Sequence, residues 1–177
     1  LVRRFRDATR AEDKSARETL AQEVVRMAAD RPDDILLLGI LLDMAAAERD
    51  LNEADRLTVR LLELQPDSPQ RYRQRLALLA ERGDNPAIEA HLRATIAKFP
   101  EDGQTKGDLV RFYLSQKQPD KAEAFLREEA DAAPADDPGP RATLVGFVEM
   151  QRGVEAARAE LDRIIAEGGD PLLFRTL

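Results

Sequence analysis

Few residues in this chain of 177 have side chains that could perform chemistry. There is one histidine, His91, and no cysteine, which excludes disulfides, thiolate metal sites and cysteine nucleophiles. Helical spacing places only carboxylates near Glu89, and Thr95, beside His91. A metal ligand or a general base needs more partners than these. We therefore predict a packing or solvated role for His91.

Pairs of acidic residues could hold a hard metal ion, but their places in the sequence indicate other roles. The pairs at 33–34 and 136–137 lie where helices are expected to begin, and carboxylates there offset the positive end of the helix dipole. The pair at 128–129 is expected to be solvated. The nine glycines form no phosphate-binding loop, and the serines carry no nucleophile signature. The sequence therefore predicts no catalytic residue, no metal and no cofactor, and we expect no enzyme activity.

The charge balance argues against two classes of partner. The chain has 27 basic and 34 acidic residues, a formal net charge of −7, and such a surface repels phosphate backbones. Acidic residues interrupt the arginine-rich stretch at 3–14, which we interpret as a solvated helix face. The longest apolar run, residues 35–42, is too short to span a bilayer and predicts a buried helix. We expect neither nucleic-acid binding nor membrane insertion.

Prolines recur with a fixed spacing and divide the chain into repeats. Pro32, Pro66, Pro100 and Pro134 are each 34 residues apart. Because proline ends helices, the same helix end recurs four times. Two residues after each proline stands a residue that can cap the next helix: Asp34, Ser68, Asp102 and Asp136, followed one period later by Asp170. A second break halfway through each period predicts two helices per repeat.

Apolar residues keep the same period. In the first helices the recurring positions are Ala45, Leu79, Tyr113 and Phe147, and in the second helices they are Ala28, Leu62, Ile96, Ala130 and Ile164. A small residue recurs at Ala54, Ala122 and Ala156. Ile88 takes this place in the third unit, which we interpret as a slip of one residue in its second helix. Hairpins patterned in this way bury their apolar faces by stacking on one another.

A helix–turn–helix of this period, closed by proline, resembles the tetratricopeptide repeat. The intervals from Ala54 to Pro66 and from Ala122 to Pro134 match the family's second helix, which runs from a small alanine to the closing proline. Tyr113 stands in the family's aromatic position near the end of the first helix. The glycine that the family favours in the middle of the first helix is replaced by Leu42, Leu76, Val110 and Leu144, and there is no tryptophan.

The resemblance implies an all-α fold, a right-handed superhelical solenoid of antiparallel helix pairs. It covers the whole chain as a single domain, 1–177. The units are 1–34, 35–68, 69–102, 103–136 and 137–170, and a sixth begins at 171–177. We expect the chain to be a fragment of a longer repeat protein.

In this family the first helices line a concave face that holds a peptide or a partner protein. The repeat register places seven candidate binding residues there: Asp43, Arg73, Ala77, Arg111, Leu114, Arg141 and Val145. Arginine favours bidentate contact with carboxylates, so this face could hold an acidic or mixed-polarity peptide. The alternative is that the arginines only keep an open face soluble. The lysine and asparagine pattern of the family's carboxylate clamp is absent.

Three functions stay open from the sequence. The first is a protein–protein interaction module or scaffold that uses the concave face. The second is a structural spacer in a longer bacterial tetratricopeptide protein of the envelope or of secretion assembly, and the third is a non-catalytic arm of a larger enzyme. The expected partner is a protein or peptide, with homodimerisation through the apolar C-terminal helix as a further expectation. The resemblance favours the bacterial periplasm or envelope, with the cytoplasm as the alternative.

Overall fold

The computed structural model describes residues 14–167, and within this range it contains nine α-helices and no strand. The helices are α1 (Lys14–Asp30), α2 (Ile35–Glu48), α3 (Leu51–Leu64), α4 (Pro69–Arg82), α5 (Asn85–Lys98), α6 (Gly103–Ser115), α7 (Pro119–Ala132), α8 (Gly139–Arg152) and α9 (Val154–Ala166). The chain divides into two compact units, unit 1 (Leu1–Thr95) and unit 2 (Ile96–Leu177). The predicted all-α fold is confirmed.

Helix starts follow the period predicted from the prolines. The first helices α2, α4 and α6 begin at residues 35, 69 and 103, and the second helices α3, α5 and α7 begin at 51, 85 and 119. Each series has the same spacing as the prolines, which confirms two helices per repeat. Because α5 begins in register and Ile88 is buried in it, the predicted slip of one residue is wrong.

Aspartate caps start two of the first helices as predicted. The Asp34 carboxylate accepts hydrogen bonds from the N–H groups of Leu36 and Leu37 at 3.0 and 3.3 Å, and Asp102 caps α6 in the same way. Ser68 stands at the predicted cap position, but its side chain makes no capping bond. The fixed φ of Pro69 in the first turn favours the helical start there.

The start of α8 departs from the period. Asp136 was the predicted cap, yet α8 begins at Gly139, and it is Asp137 that accepts from the Gly139 N–H at 3.0 Å. Proline disfavours helical backbone in the residue before it, so Pro138 prevents the helix from starting at Asp137. The helix α9 also begins late, and Ala157 is buried in place of the predicted Ala156.

The core of unit 1 lies where the apolar residues of consecutive helices meet. α2 and α3 share a buried cluster: Leu38, Ala45, Ala54, Leu57 and Leu61. On the other side of α2, Leu37 and Ile40 pack with Val24 of α1. The apolar run of α2 is therefore buried on two sides. The predicted burial holds for most of the run, but Leu36 is exposed. No helix in the described range has both the length and the hydropathy that a membrane crossing requires.

In unit 2, ion pairs hold α7 and α9 together. The Arg127 guanidinium lies between Glu123 on its own helix, at 3.1 Å, and Glu160 on α9, at 2.9 Å. Arg163 also pairs with Glu160. Burial acts to raise the pKa of Glu160, but hydrogen bonds from Arg163 and Arg127 outweigh it and lower that pKa.

Four predictions concern side chains or residues outside the described part of the chain. They are the solvated helix face at 3–14, the cap at Asp170, the start of a sixth unit at 171–177, and homodimerisation through the C-terminal helix.

Candidate functional site

An open groove runs between α6 and α8 in unit 2, and α7 contributes to its floor. Its volume is about 690 Å³, within the range of about 300–1,000 Å³ that is usual for ligand pockets. The lining residues are Pro100, Glu101, Gly103, Lys106, Gly107, Val110 and Arg111 before α7; Phe125, Leu126 and Glu129 on α7; and Gly139, Pro140, Thr143, Gly146, Phe147 and Met150 on α8. We call this feature the α6–α8 groove.

The floor of the α6–α8 groove is apolar. Phe125, Leu126 and Phe147 are each buried, so their rings and methyl groups face the cavity from a packed core. Met150 stands at the edge with 66% of its surface exposed. An unbranched thioether adapts to different shapes, which suits a contact surface. This floor can remove an incoming apolar side chain from water.

The walls of the groove carry unusually small residues. Gly103 and Gly107 lie one turn apart on α6, and Gly146 lies on α8 opposite them across the groove. A Cβ atom added at Gly103 or Gly146 would meet nothing within 4 Å. Glycine inside a helix costs about 1 kcal/mol relative to alanine. Internal packing therefore does not require glycine at Gly103 or Gly146, and the space above these two residues is open to a ligand's backbone.

Two ion pairs lie at the rim of the groove, and Glu101, which also lines it, is exposed. Lys106 Nζ on α6 lies 2.5 Å from Glu129 Oε2 on α7, and the Arg111 guanidinium pairs with Asp108 on its own helix. Arg111 is the more exposed of the two cations and reaches back over Gly107, whose added Cβ would lie 3.4 Å from Arg111 Nη1. The groove thus offers a nearly neutral rim with one arginine that can exchange its partner.

The structure brings only one of the seven predicted binding residues, Arg111, into the groove. Leu114 on α6 is half-buried and does not line it. Arg141 on α8 donates hydrogen bonds to the carbonyl oxygens of Ala133, Pro134 and Asp137, at 2.9, 2.9 and 3.0 Å. It therefore holds the chain just after the negative end of α7.

Val145 also lies away from the groove. It is buried and packs with Ala157 and Ile164 in the core between α8 and α9. The residues of α8 that do line the groove include Thr143, Gly146, Phe147 and Met150, of which only Phe147 belonged to a recurring pattern in the sequence. When two first helices lie side by side, each turns a different side toward the groove. Residues at equivalent repeat positions on the two helices therefore cannot all line it.

The other three predicted residues lie in unit 1. Asp43 on α2 and Arg73 and Ala77 on α4 are all exposed. Their exposure is what a contact surface requires, and it is also what a solvated surface would show.

His91 has a packing role, which is one of the two roles predicted for it. Its side chain is buried, its Nε2 lies 2.9 Å from the Tyr72 carbonyl oxygen, and its ring stacks on the Tyr72 ring. The solvated alternative is wrong. Within residues 14–167 no group of three or more histidine, aspartate or glutamate side chains is arranged to hold a metal ion.

Helix pairs that recur with the period of the prolines, with stacked apolar faces, define a helical-repeat protein. Residues 79–142 match the family model described as "Tetratricopeptide repeat". Over these residues the chain matches the tetratricopeptide repeat, and helix pairs of the same period extend on both sides of the matched segment. This class of fold is a scaffold for protein partners and is typically non-catalytic.

Solved structures show the same fold. A chain in "Structure of Naa15/Naa10 bound to HypK-THB" superposes with a TM-score of 0.57 and 15% identity, covering 85% of this chain and 24% of that one. "Crystal structure of MamA protein" superposes with a TM-score of 0.53 and 13% identity, covering 92% of this chain and 87% of that one. "MamA RS-1 ArsTM double mutant" superposes with a TM-score of 0.51 and 17% identity, covering 96% of this chain and 97% of that one. This chain thus spans about a quarter of the first, and no curated protein sequence matches it.

Proposed function

We propose that the α6–α8 groove binds a segment of a partner protein, with an apolar side chain seated on the floor. The observation that carries this proposal is an open cavity of about 690 Å³ with an apolar floor between glycine-bearing walls. The chain acts as a non-catalytic interaction module, and the partner's side chains, not a reaction, determine which segment is held.

The energetics require more than one contact. Burying one leucine or phenylalanine side chain contributes about 1.5–3 kcal/mol, whereas a micromolar complex needs about 8 kcal/mol. The remainder has to come from further apolar contacts and from the backbone of the segment. The open space above Gly103 and Gly146 lets that backbone lie close to both walls. We therefore expect an affinity in the micromolar range for a short peptide.

Arginine contributes specificity in this proposal. Arg111 can exchange its partner Asp108 for a carboxylate of the bound segment, which favours a peptide with an acidic residue beside the apolar anchor. Arg141 takes no part, because backbone carbonyls already occupy its guanidinium. We propose Asp43, Arg73 and Ala77 as a separate contact surface on unit 1.

Two other functions predict a groove that binds no peptide. A spacer within a longer bacterial envelope or secretion-assembly protein contacts only neighbouring repeats, and so does the arm of a larger enzyme. Both rest on the family resemblance, and neither explains why α6 and α8 present glycines to open space.

Alkylation of single cysteines tests the proposal, because the chain has no cysteine of its own. Gly146→Cys places a thiol in the groove, and Ala124→Cys places one at an exposed position of α7 that does not line it. The ligand is a peptide selected from a displayed random library on the wild-type chain. At about ten times its Kd it should slow alkylation at position 146 about ten-fold and leave position 124 unchanged.

The opposite outcomes identify the alternatives. If no peptide of micromolar affinity is recovered, the spacer or the enzyme arm is favoured. Equal protection at both positions, or at neither, would show that the selected peptide binds elsewhere.

A further inference from the structure

The only histidine of the chain lies in unit 1, where the part of α5 before Ile96 contacts α4. The His91 ring is 7% exposed and stacks on Tyr72, with the ring centroids 5.7 Å apart and the planes inclined by 19°. The 2.9 Å contact with the Tyr72 carbonyl oxygen places the proton of the neutral imidazole on Nε2. One titratable ring therefore joins the middle of α5 to the first turn of α4.

The charged groups that face this ring form an imperfectly bonded cluster. They are Asp55 on α3 and Arg75 on α4. Arg75 Nε lies 3.6 Å from Asp55 Oδ1, too far for a hydrogen bond, and neither buried atom has another hydrogen-bond partner in the described structure. The second Asp55 oxygen is taken by Arg82, 3.2 Å away. Two guanidinium groups therefore share one carboxylate, so the cluster already has an excess of positive charge and repels a further cation.

We propose that unit 1 contains a pH-sensitive latch, in which protonation of His91 loosens the packing of α5 on α4. The imidazolium would be a buried cation beside Arg75, with an Asp55 carboxylate that already serves two arginines. When the helix pair loosens, the ring returns to water, which relieves the repulsion between the imidazolium and Arg75.

The sign of the effect follows from the surroundings of the ring. Burial is the largest influence and lowers the pKa of His91; the Tyr72 carbonyl raises it, Arg75 lowers it and Asp55 raises it, with a net decrease. A base with a lowered pKa in the folded state is protonated more readily in the open state. The stabilisation is complete above about pH 6.5, the ordinary histidine value, and is lost as the pH falls below it toward the pKa of the folded state.

Two measurements on the full chain test the latch. NMR titration gives one imidazole signal, and it should titrate below about pH 6.5. Hydrogen exchange in α4 and α5, corrected for the intrinsic pH dependence, should accelerate as the pH falls from 7 to 5.5, by up to about ten-fold, the limit that a single proton sets over this range. The helices α7 and α8 should show no such acceleration and serve as the internal control.

Two variants distinguish the effect of protonating His91 from the effect of its packing. His91→Phe keeps a ring on Tyr72 but cannot be protonated, so its α4 and α5 exchange should not depend on pH in this range. Arg75→Gln removes the neighbouring cation and should move the imidazole titration to a higher pH. The proposal is overturned if the imidazole titrates at or above its ordinary value, if His91→Phe keeps the wild-type pH profile, or if Arg75→Gln leaves the titration unmoved.

Discussion

Replacing Leu61 with alanine is expected to lower the free energy of unfolding of unit 1 by about 2–5 kcal/mol. Leu61 on α3 has no exposed surface and lies in the buried cluster that joins α3 to α2. Its removal leaves a cavity within the cluster through which the two helices pack. Urea unfolding followed by circular dichroism, with hydrogen exchange in α3 to identify the unit, measures the loss.

A leucine in the same unit provides the matched control. Leu36 on α2 is 68% exposed, and Leu36→Ala should change the unfolding free energy by no more than about 0.5 kcal/mol. Similar effects of the two substitutions would contradict the stacking of α2 on α3 as the source of stability.

Gly146→Trp is expected to raise the Kd of the selected peptide about 30-fold or more, a loss of about 2 kcal/mol. The indole starts from a Cβ position with nothing within 4 Å, so it occupies the α6–α8 groove and does not disturb the core. Tryptophan also has a higher helix propensity than glycine, so α8 should remain folded. Fluorescence anisotropy of a labelled peptide measures the Kd, and circular dichroism verifies the fold.

The corresponding control introduces the same side chain outside the groove. Ala124 is exposed on α7 and is absent from the groove lining, so Ala124→Trp should bind the peptide with the wild-type Kd. Wild-type affinity in Gly146→Trp, or an equal loss in both variants, would place the peptide elsewhere on the chain.

Much of the fold could be predicted because its signals are local and recur. A proline ends a helix through its own ring, and Asp34 and Asp102 cap α2 and α6 through hydrogen bonds spanning two or three residues. Neither effect depends on distant parts of the chain. The constant length of the repeat then places successive apolar faces against each other, as the buried cluster between α2 and α3 shows.

The groove could be predicted only in part, because it depends on how helices face each other. The repeat register predicted Arg111, which does line the groove. On α8 the same register gave Arg141, which bonds the backbone after α7, and Val145, which packs in the core. Pro138 also delays the start of α8. Gly146 had a signal in the sequence, as a glycine in a helix that nothing local requires, yet only the packed helices show the open space above it.

Hydrogen exchange of the wild-type chain with and without the selected peptide tests the central claim without any substitution. If the α6–α8 groove is the binding surface, the peptide should slow exchange in α6 (Gly103–Ser115) and α8 (Gly139–Arg152) while leaving α2 and α3 unchanged. Slowed exchange confined to unit 1, or no change in either unit at saturating peptide, would contradict it.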